Sequence, residues 1–421
     1  MRNVFDQYSQ PENQLTHALV CSLHHDRSVL LKPFLEWLGA KNIPDIKTIK
    51  IVEQQLPGSI ISGEEISSEA QKGLPDASIY TNDGWALLIE SKVQAKLTND
   101  QLVRHFSTAR NHDFQDPQLV AIVVDRNETK KIKNTTIIEW RELYSWFRTK
   151  RKKSSWASYF SEYLESFESK KLANNYNIRG TLTMFDGFHF DDDNPFQYGE
   201  AKRLLRLLGE ELRQYEQLDA LGVDLYSPGR GMITGSQGGV VWDYLRFKGA
   251  PGDGRSKWPH LTYAVKPNGL GAMLNFPNHL SGGLKSLFST IGQDQLHLVF
   301  KQVEKQLRPI IRRVKGSAPF FEVIQRHYPS RTAQPIVDGH INADLRTLSD
   351  GKSAVKSQPE WLESGYQLIA NKRSNLQFGI SMRFPYESKI VQSPGIAKEF
   401  VNAWVAMKPL IDVGLEHVRQ R

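Results

Sequence analysis

The chain has 421 residues, with 54 Lys and Arg against 46 Asp and Glu, a net charge of +8, and ordinary hydrophobic and charged fractions of 39% and 24%. That balance excludes a disordered or fibrous class, and no apolar run reaches the ~20 residues that span a bilayer. A single cysteine, Cys21, excludes an intrachain disulfide and a multi-cysteine zinc site, and the opening Met-Arg-Asn-Val-Phe-Asp lacks the apolar core of a signal peptide, so a cytoplasmic location is expected.

The pattern Ser9-Gln-Pro-Glu12 opens an amphipathic helix to about Leu23, with Leu15, Leu19 and Leu23 on one face. Ser9 and Glu12 fit a capping box, so Glu12 has two readings: a helix cap or a carboxylate near a metal. His17, His24 and His25 are expected to be solvated or core histidines. A second helix runs from about Ser28 to Leu38 and ends at Gly39 as a C-cap. Lys47 to Gln54 is a first strand, with Glu53 an exposed strand residue or an outer carboxylate, and 56–72 is a Gly, Ser and Glu-rich loop.

The next stretch carries the chemistry. Asp76 to Tyr80 and Trp85 to Val93 are β-prone, and Asn82-Asp83-Gly84 between them is a hairpin signal. If Thr81 faces Trp85, Asp76 lies opposite Glu90, and strand alternation puts Glu90 and Lys92 on the same face. Two carboxylates held together repel unless a cation sits between them or one is protonated. Hard oxygen donors with open positions suit Mg²⁺, and an ammonium beside them can orient water and offset charge on phosphorus. Such a set suits phosphodiester hydrolysis.

Pro75-Asp76, thirteen intervening residues and Glu90-Ser91-Lys92 together resemble the signature of the PD-(D/E)XK nuclease superfamily. The resemblance covers roughly the first 170 residues. It implies a restriction-endonuclease-like α/β core in which Asp76 and Glu90 bind Mg²⁺, with Mn²⁺ as a substitute, and Lys92 assists the attacking water. Glu12 is similar to the acidic residue that many members carry on the helix before the sheet, which adds it to the metal set. Gln101 resembles a polar residue that several of these families place near the site.

After the hairpin, Thr98-Asn-Asp-Gln101 starts a helix on which Gln101 and His105 share a face, either near a phosphate or simply solvated. Leu119 to Val124 is the expected central strand of a buried sheet. Thr135 to Trp140 is a further strand, followed by a helix from Arg141 to Phe147. Lys150 to Lys153 is a basic run before the aromatic helix Trp156 to Phe167, either touching a DNA backbone or, as is usual for four charges at a helix boundary, simply solvated. The order fits one mixed central sheet flanked by helices.

A change of character between Asn174 and Asn194 marks a domain boundary, giving a nuclease-like domain over 1–178 and an α+β domain of unknown fold over 179–421. In the second part a helix is expected near Tyr198–Leu218, hairpin turns at the glycine clusters 229–231, 235–239 and 249–254, paired strands at Leu261–Val265 and Gly271–Phe276, and a strand Leu376–Phe384 before a helix Ile396–Ile411. Lys301, Lys305, Arg308, Arg312 and Lys315 form one stripe of a helix that Pro309 should kink. Val303, Leu307, Ile310, Ile311 and Val314 form its apolar stripe. The basic stripe either tracks phosphates or is a solvated face. Residues 1–180 hold 24 basic and 22 acidic residues, net +2, so the remaining +6 falls in the second part and suits a polyanion.

The expectation is a Mg²⁺-dependent nuclease acting on DNA, in restriction, repair or defence against foreign DNA. The alternatives are an RNA-cleaving enzyme and a non-catalytic nucleic-acid-binding module on the same fold. The second domain is the candidate surface for a homodimer or a partner protein, and no membrane is involved.

Overall fold

The computed structural model describes residues 5, 7–54, 74–126, 133–172, 180–227, 229–230, 239–250, 257–278, 287–288, 290–330, 333, 335–349, 355, 359–370 and 376–419. They form two compact units, Met1–Met184 and Phe185–Arg421. No helix among the described residues is long and apolar enough to cross a membrane.

The first unit is built on a five-stranded mixed sheet of order β1-β2-β3-β4-β5: Lys50–Glu53, Ala77–Tyr80, Ala86–Ser91, Gln118–Val123 and Thr135–Glu139. The first three strands are antiparallel, and β3, β4 and β5 run parallel. Hence β3, not Leu119–Val124, is the middle strand. It is buried along its whole length because helices cover both faces. Leu87 and Ile89 join a core with α1 (Pro11–His25), α2 (Lys32–Trp37), and the later helices α4 (Trp140–Lys150) and α5 (Ser155–Phe167). Ala86 and Leu88 join a smaller core with Leu102 and Phe106 of α3 (Asn99–Arg110). Each fully buried Leu or Ile of this kind contributes about 1.5–3 kcal/mol.

Local signals explain most boundaries. Gly39 has φ +71° and Gly84 has φ +91°, values that favour glycine at the predicted C-cap and hairpin turn. Thr98 caps α3 by accepting from Gln101 N, and Ser154 caps α5 by accepting from Ala157 N. One cap expectation fails. The N-cap of α1 is Gln10, without a side-chain cap bond, so Ser9 and Glu12 form no capping box. The second predicted helix begins with a five-residue π-helical turn, Arg27–Leu31, before α2.

The second unit holds a six-stranded antiparallel sheet of order β10-β9-β11-β8-β7-β6. Its strands are β6 (Val241–Arg246), β7 (His260–Lys266), β8 (Gly269–Phe276), β9 (Ala318–His327), β10 (Ile336–Asp344) and β11 (Leu376–Phe384). The helices are α6 (Tyr198–Leu212), α7 (Glu216–Ala220), α8 (Gln293–Arg313), α9 (Pro359–Ala370), α10 (Ile396–Ala406) and α11 (Lys408–Arg419). One sheet face meets the helices: Phe321 contacts Phe300 of α8 and Tyr366 of α9, and Phe384 contacts Phe400 of α10. A Cβ on Gly365 would come within 2.4 Å of the Phe321 ring, so α9 sits where only glycine fits.

Several expectations are corrected here. The helix expected over Tyr198–Leu218 is split into α6 and α7, and the one expected over Ile396–Ile411 breaks at Met407. The α8 helix continues for a further turn past Pro309, but it ends at Arg313, so Lys315 lies beyond it. The glycine clusters 235–239 and 249–254 lie largely outside the described residues, as does the 56–72 loop. The expected pairing of Leu261–Val265 with Gly271–Phe276 is present as β7 and β8, joined by a turn at Pro267-Asn268.

Candidate active site

The hairpin register sets the site. Ala77 pairs with Ile89 and Tyr80 with Ala86, and Thr81 N donates to Trp85 O at 3.0 Å. Continued by one residue, that register puts Asp76 opposite Glu90, as the turn spacing requires. The Asp76 carboxylate reaches one residue further, where its Oδ2 accepts from Ser91 N at 2.7 Å. Lys92 is held on β4 by donating its N–H to Ile122 O, and its own carbonyl accepts from Trp140 Nε1.

Glu90 is the hub. It is 1% exposed, and its Oε1 lies 2.6 Å from Lys92 Nζ and accepts from Gln101 Nε2. Its Oε2 lies 2.9 Å from Nε2 of His105, which is itself buried. The cap at Thr98 fixes the start of α3, and the four-residue spacing then turns Gln101 and His105 towards the same carboxylate. The structure therefore brings together Asp76, Glu90, Lys92, Gln101 and His105. For His105 the solvated-face expectation is wrong: the side chain is enclosed and serves Glu90.

Protonation divides between the two carboxylates. Burial, then the negative charge of Glu90, push Asp76 up to about 7 against the opposing Ser91 N–H, Lys92 and His105. Burial also works upward on Glu90, but the His105 hydrogen bond and the Lys92 charge outweigh it and hold Glu90 below its ordinary value. Asp76 is thus the member of the pair that keeps a proton near neutral pH. A divalent cation would replace that proton, and an all-oxygen donor set beside an ammonium suits Mg²⁺ or Mn²⁺. The residues present fit such an ion.

Glu12 stands apart from this cluster. Its Oε1 accepts from the backbone N–H groups of Val93 at 3.2 Å, Gln94 at 2.8 Å and Ala95 at 3.3 Å. Burial works upward on its carboxyl, yet these bonds, led by Gln94, hold it below its ordinary value. Glu12 fastens the loop that follows Lys92 to α1, and Thr16 adds a bond from the same helix to Ser91 Oγ at 2.8 Å. The basic stripe lies in the other unit. Lys305, Arg312 and Lys315 are exposed there, while Arg308 grips Glu304, which is 2% exposed, through three bonds of 2.6–2.9 Å.

A second cluster escaped the sequence reading. His17 Nδ1 lies 3.0 Å from Glu53, Tyr8 donates to the same carboxylate, and Cys21 Sγ is 3.5 Å from His17 Nε2. Both His17 and Glu53 are half-buried partners, neither solvated nor an exposed strand residue. The signal was present as His17 and Cys21, four apart on one helix face, but their link to Glu53 needs the packing of β1.

Comparison with known proteins adds one match. Residues 3–182 fit the family model described as the PD-(D/E)XK nuclease superfamily, the superfamily that the hairpin signature resembles. No curated protein and no solved structure matches the chain. The match points to a phosphodiester-cleaving nuclease and spans nearly all of the first unit.

Proposed function

We propose that the chain is a divalent-metal-dependent nuclease that hydrolyses DNA at the Asp76–Glu90–Lys92 site. The convergence of two carboxylates with an ammonium 2.6 Å from one of them is the observation that carries this proposal. Asp76 and Glu90 would hold the cation, which supplies Lewis-acid charge to the scissile phosphate and to water. Lys92 orients the attacking water and offsets the negative charge that grows on phosphorus. Gln101 and His105 position the Glu90 carboxylate by hydrogen bonding, and Glu12 positions the loop after Lys92. Glu90 is engaged on both oxygens, so a cation held there would take the place of one of its present donors. Restriction, repair or defence against foreign DNA in the cytoplasm are the roles such an activity would serve.

The test offers purified protein supercoiled plasmid, linear duplex, single-stranded DNA and RNA, each with Mg²⁺, Mn²⁺ or EDTA. Cleavage of DNA that EDTA abolishes is the expected result. Cleavage of RNA alone would replace DNA by RNA in the proposal, and no cleavage of any substrate would leave a binding module.

A further inference from the structure

The cluster of His17, Cys21 and Glu53 is assembled from two elements of the first unit. His17 and Cys21 stand four apart on α1, which puts them on one face of the helix. Glu53 ends β1 and pairs with Ala77 of β2. Residues paired across antiparallel strands share a face of the sheet, and Ala77 belongs to the core that includes α1. Glu53 therefore points at α1. Glu90 points to the other face, where it meets Gln101 and His105 of α3. The sheet thus separates this cluster from the Asp76–Glu90 site.

Three kinds of donor converge here. A Glu53 oxygen, a His17 ring nitrogen and Cys21 Sγ all lie within 4.8 Å of one another. Both Glu53 oxygens are 3.0 Å from His17 Nδ1, and Cys21 Sγ is 3.7 Å from the same nitrogen. Zinc bonds of about 2.3 Å to sulfur and about 2.0–2.1 Å to nitrogen and oxygen, at tetrahedral angles, set the spacing of their ligands. They require about 3.5 Å between sulfur and nitrogen and about 3.3 Å between nitrogen and oxygen. The cluster already comes within about 0.3 Å of both spacings.

A hydrogen bond between His17 and Glu53 accounts for two of these groups and leaves the thiol without a task. It also leaves the symmetry unexplained, because one N–H points along one line while the carboxylate faces Nδ1 with both oxygens alike. The surroundings suit an ion. Tyr8 donates to Glu53 Oε2 at 3.1 Å and packs its ring in a T-shaped contact with that of His17. Outer hydrogen bonds of this kind orient the carboxylate and imidazole ligands of metal sites. The His17 and Glu53 side chains are 12% and 19% exposed, enough for an ion to enter and for water to complete its shell.

We propose that His17 Nδ1, Cys21 Sγ and Glu53 bind a Zn²⁺ ion, with water as the fourth ligand, and so fasten α1 to β1. A thiolate and an imidazole select zinc, whereas Mg²⁺ takes hard oxygen donors. The two metal preferences of the unit therefore differ by site, oxygen donors on one face of the sheet and a mixed set on the other. The helix that zinc would anchor is the one whose Thr16 bonds Ser91 and whose Glu12 holds the loop after Lys92. An ion here steadies the support of the Asp76–Glu90 site without touching its carboxylates. The inference stands apart from the nuclease proposal, since it invokes no substrate.

The full chain, stripped with EDTA and freed of chelator, tests the site by titration with Co²⁺ and Zn²⁺. Co²⁺ should give a thiolate-to-metal charge-transfer band, and Zn²⁺ should displace it. Cys21 is the only cysteine, so the band reports this cluster and is silent to a cation on Asp76 and Glu90. Zn²⁺ should also slow alkylation of Cys21 in the unaltered protein, a readout that needs no variant. Cys21→Ser should abolish the band. His17→Gln and Glu53→Gln should each weaken zinc binding, read by loss of the band's displacement, at least ~100-fold. Tyr8→Phe, which removes only a supporting bond, should weaken it about 10-fold. Absence of the charge-transfer band would overturn the proposal, as would alkylation that Zn²⁺ leaves unchanged. So would a band that neither His17→Gln nor Glu53→Gln alters, because the thiol would then hold the metal alone.

Discussion

The two sheets treat buried polar groups in opposite ways. On the mixed sheet of the first unit, the charged groups answer one another: Glu90 takes Lys92, Gln101 and His105 at once, and Asp76 keeps a proton near neutral pH. On the antiparallel sheet of the second, Lys266 and Arg326 find no carboxylate and Asn275 Oδ1 no donor among the described residues. The first arrangement is crowded with acceptors, and a cation relieves it. The second scatters its groups, with Lys266 on β7 and Arg326 on β9 separated by β8 and β11. The same rule about unsatisfied charge therefore points to a metal in one unit and to no single ligand in the other.

The sharpest way to break this contrast is to empty the first site. Asp76→Ala, Glu90→Ala and Lys92→Ala should each lower plasmid cleavage about 10²–10³-fold or more. Removing Asp76 or Glu90 should also weaken Mn²⁺ binding, whereas removing Lys92 should not. A single variant that cleaves like wild type takes its residue out of the mechanism. His105→Ala comes next. It strips the buried Glu90 of one partner, so thermal unfolding should show a loss of about 1–3 kcal/mol and cleavage should fall with it. His105→Gln retains a donor and should recover most of both, and a variant unchanged in stability would deny His105 its place on Glu90.

Much of the first site was readable because its determinants are local. A turn of fixed length sets the register of Asp76 against Glu90, alternation sets Lys92, and helical spacing sets Gln101 with His105. Of the two readings of Glu12, the cap fails, because a capping box is a local pattern and the N-cap of α1 is Gln10. Its real partners, Val93 to Ala95, lie some eighty residues away in sequence. The second unit was harder for the same reason. Strand β10, IVDGHINAD, is an edge strand exposed over most of its length, so it shows no apolar alternation to read. The second sheet sets its strands in the order 10-9-11-8-7-6, which no single stretch of sequence encodes.

A smaller effect separates proton from metal at the first site. Asp76 has a folded value of about 7 against 3.8 unfolded, so the folded state binds the proton more tightly. The stability that this proton supplies is present below about pH 4 and is lost as pH rises through 7. Asp76→Asn keeps the neutral form at every pH. In EDTA it should match wild type at low pH and melt at least ~3 °C higher at pH 8. Added Mg²⁺ should raise the wild-type melting temperature at pH 8 and leave the variant unmoved. Parallel profiles for the two proteins from pH 5 to pH 8 would show that Asp76 is already ionised, and the crowding argument for a cation would fail.

The gentlest perturbation asks whether the second unit holds nucleic acid. Lys305, Arg312 and Lys315 are exposed on and just beyond one helix, whereas Arg308 must stay in place because a carboxylate there would face the buried Glu304. Reversing the three exposed cations to Glu leaves Val303, Leu307 and Ile310 in the core, so melting should not change. Each phosphate that is no longer neutralised takes about 0.9 off the slope of log affinity against log salt for duplex DNA. If the stripe tracks the backbone, fluorescence anisotropy in EDTA should show that slope flattening by about 2–3 and binding weakening at every sequence. An unchanged slope would make the stripe a solvated face.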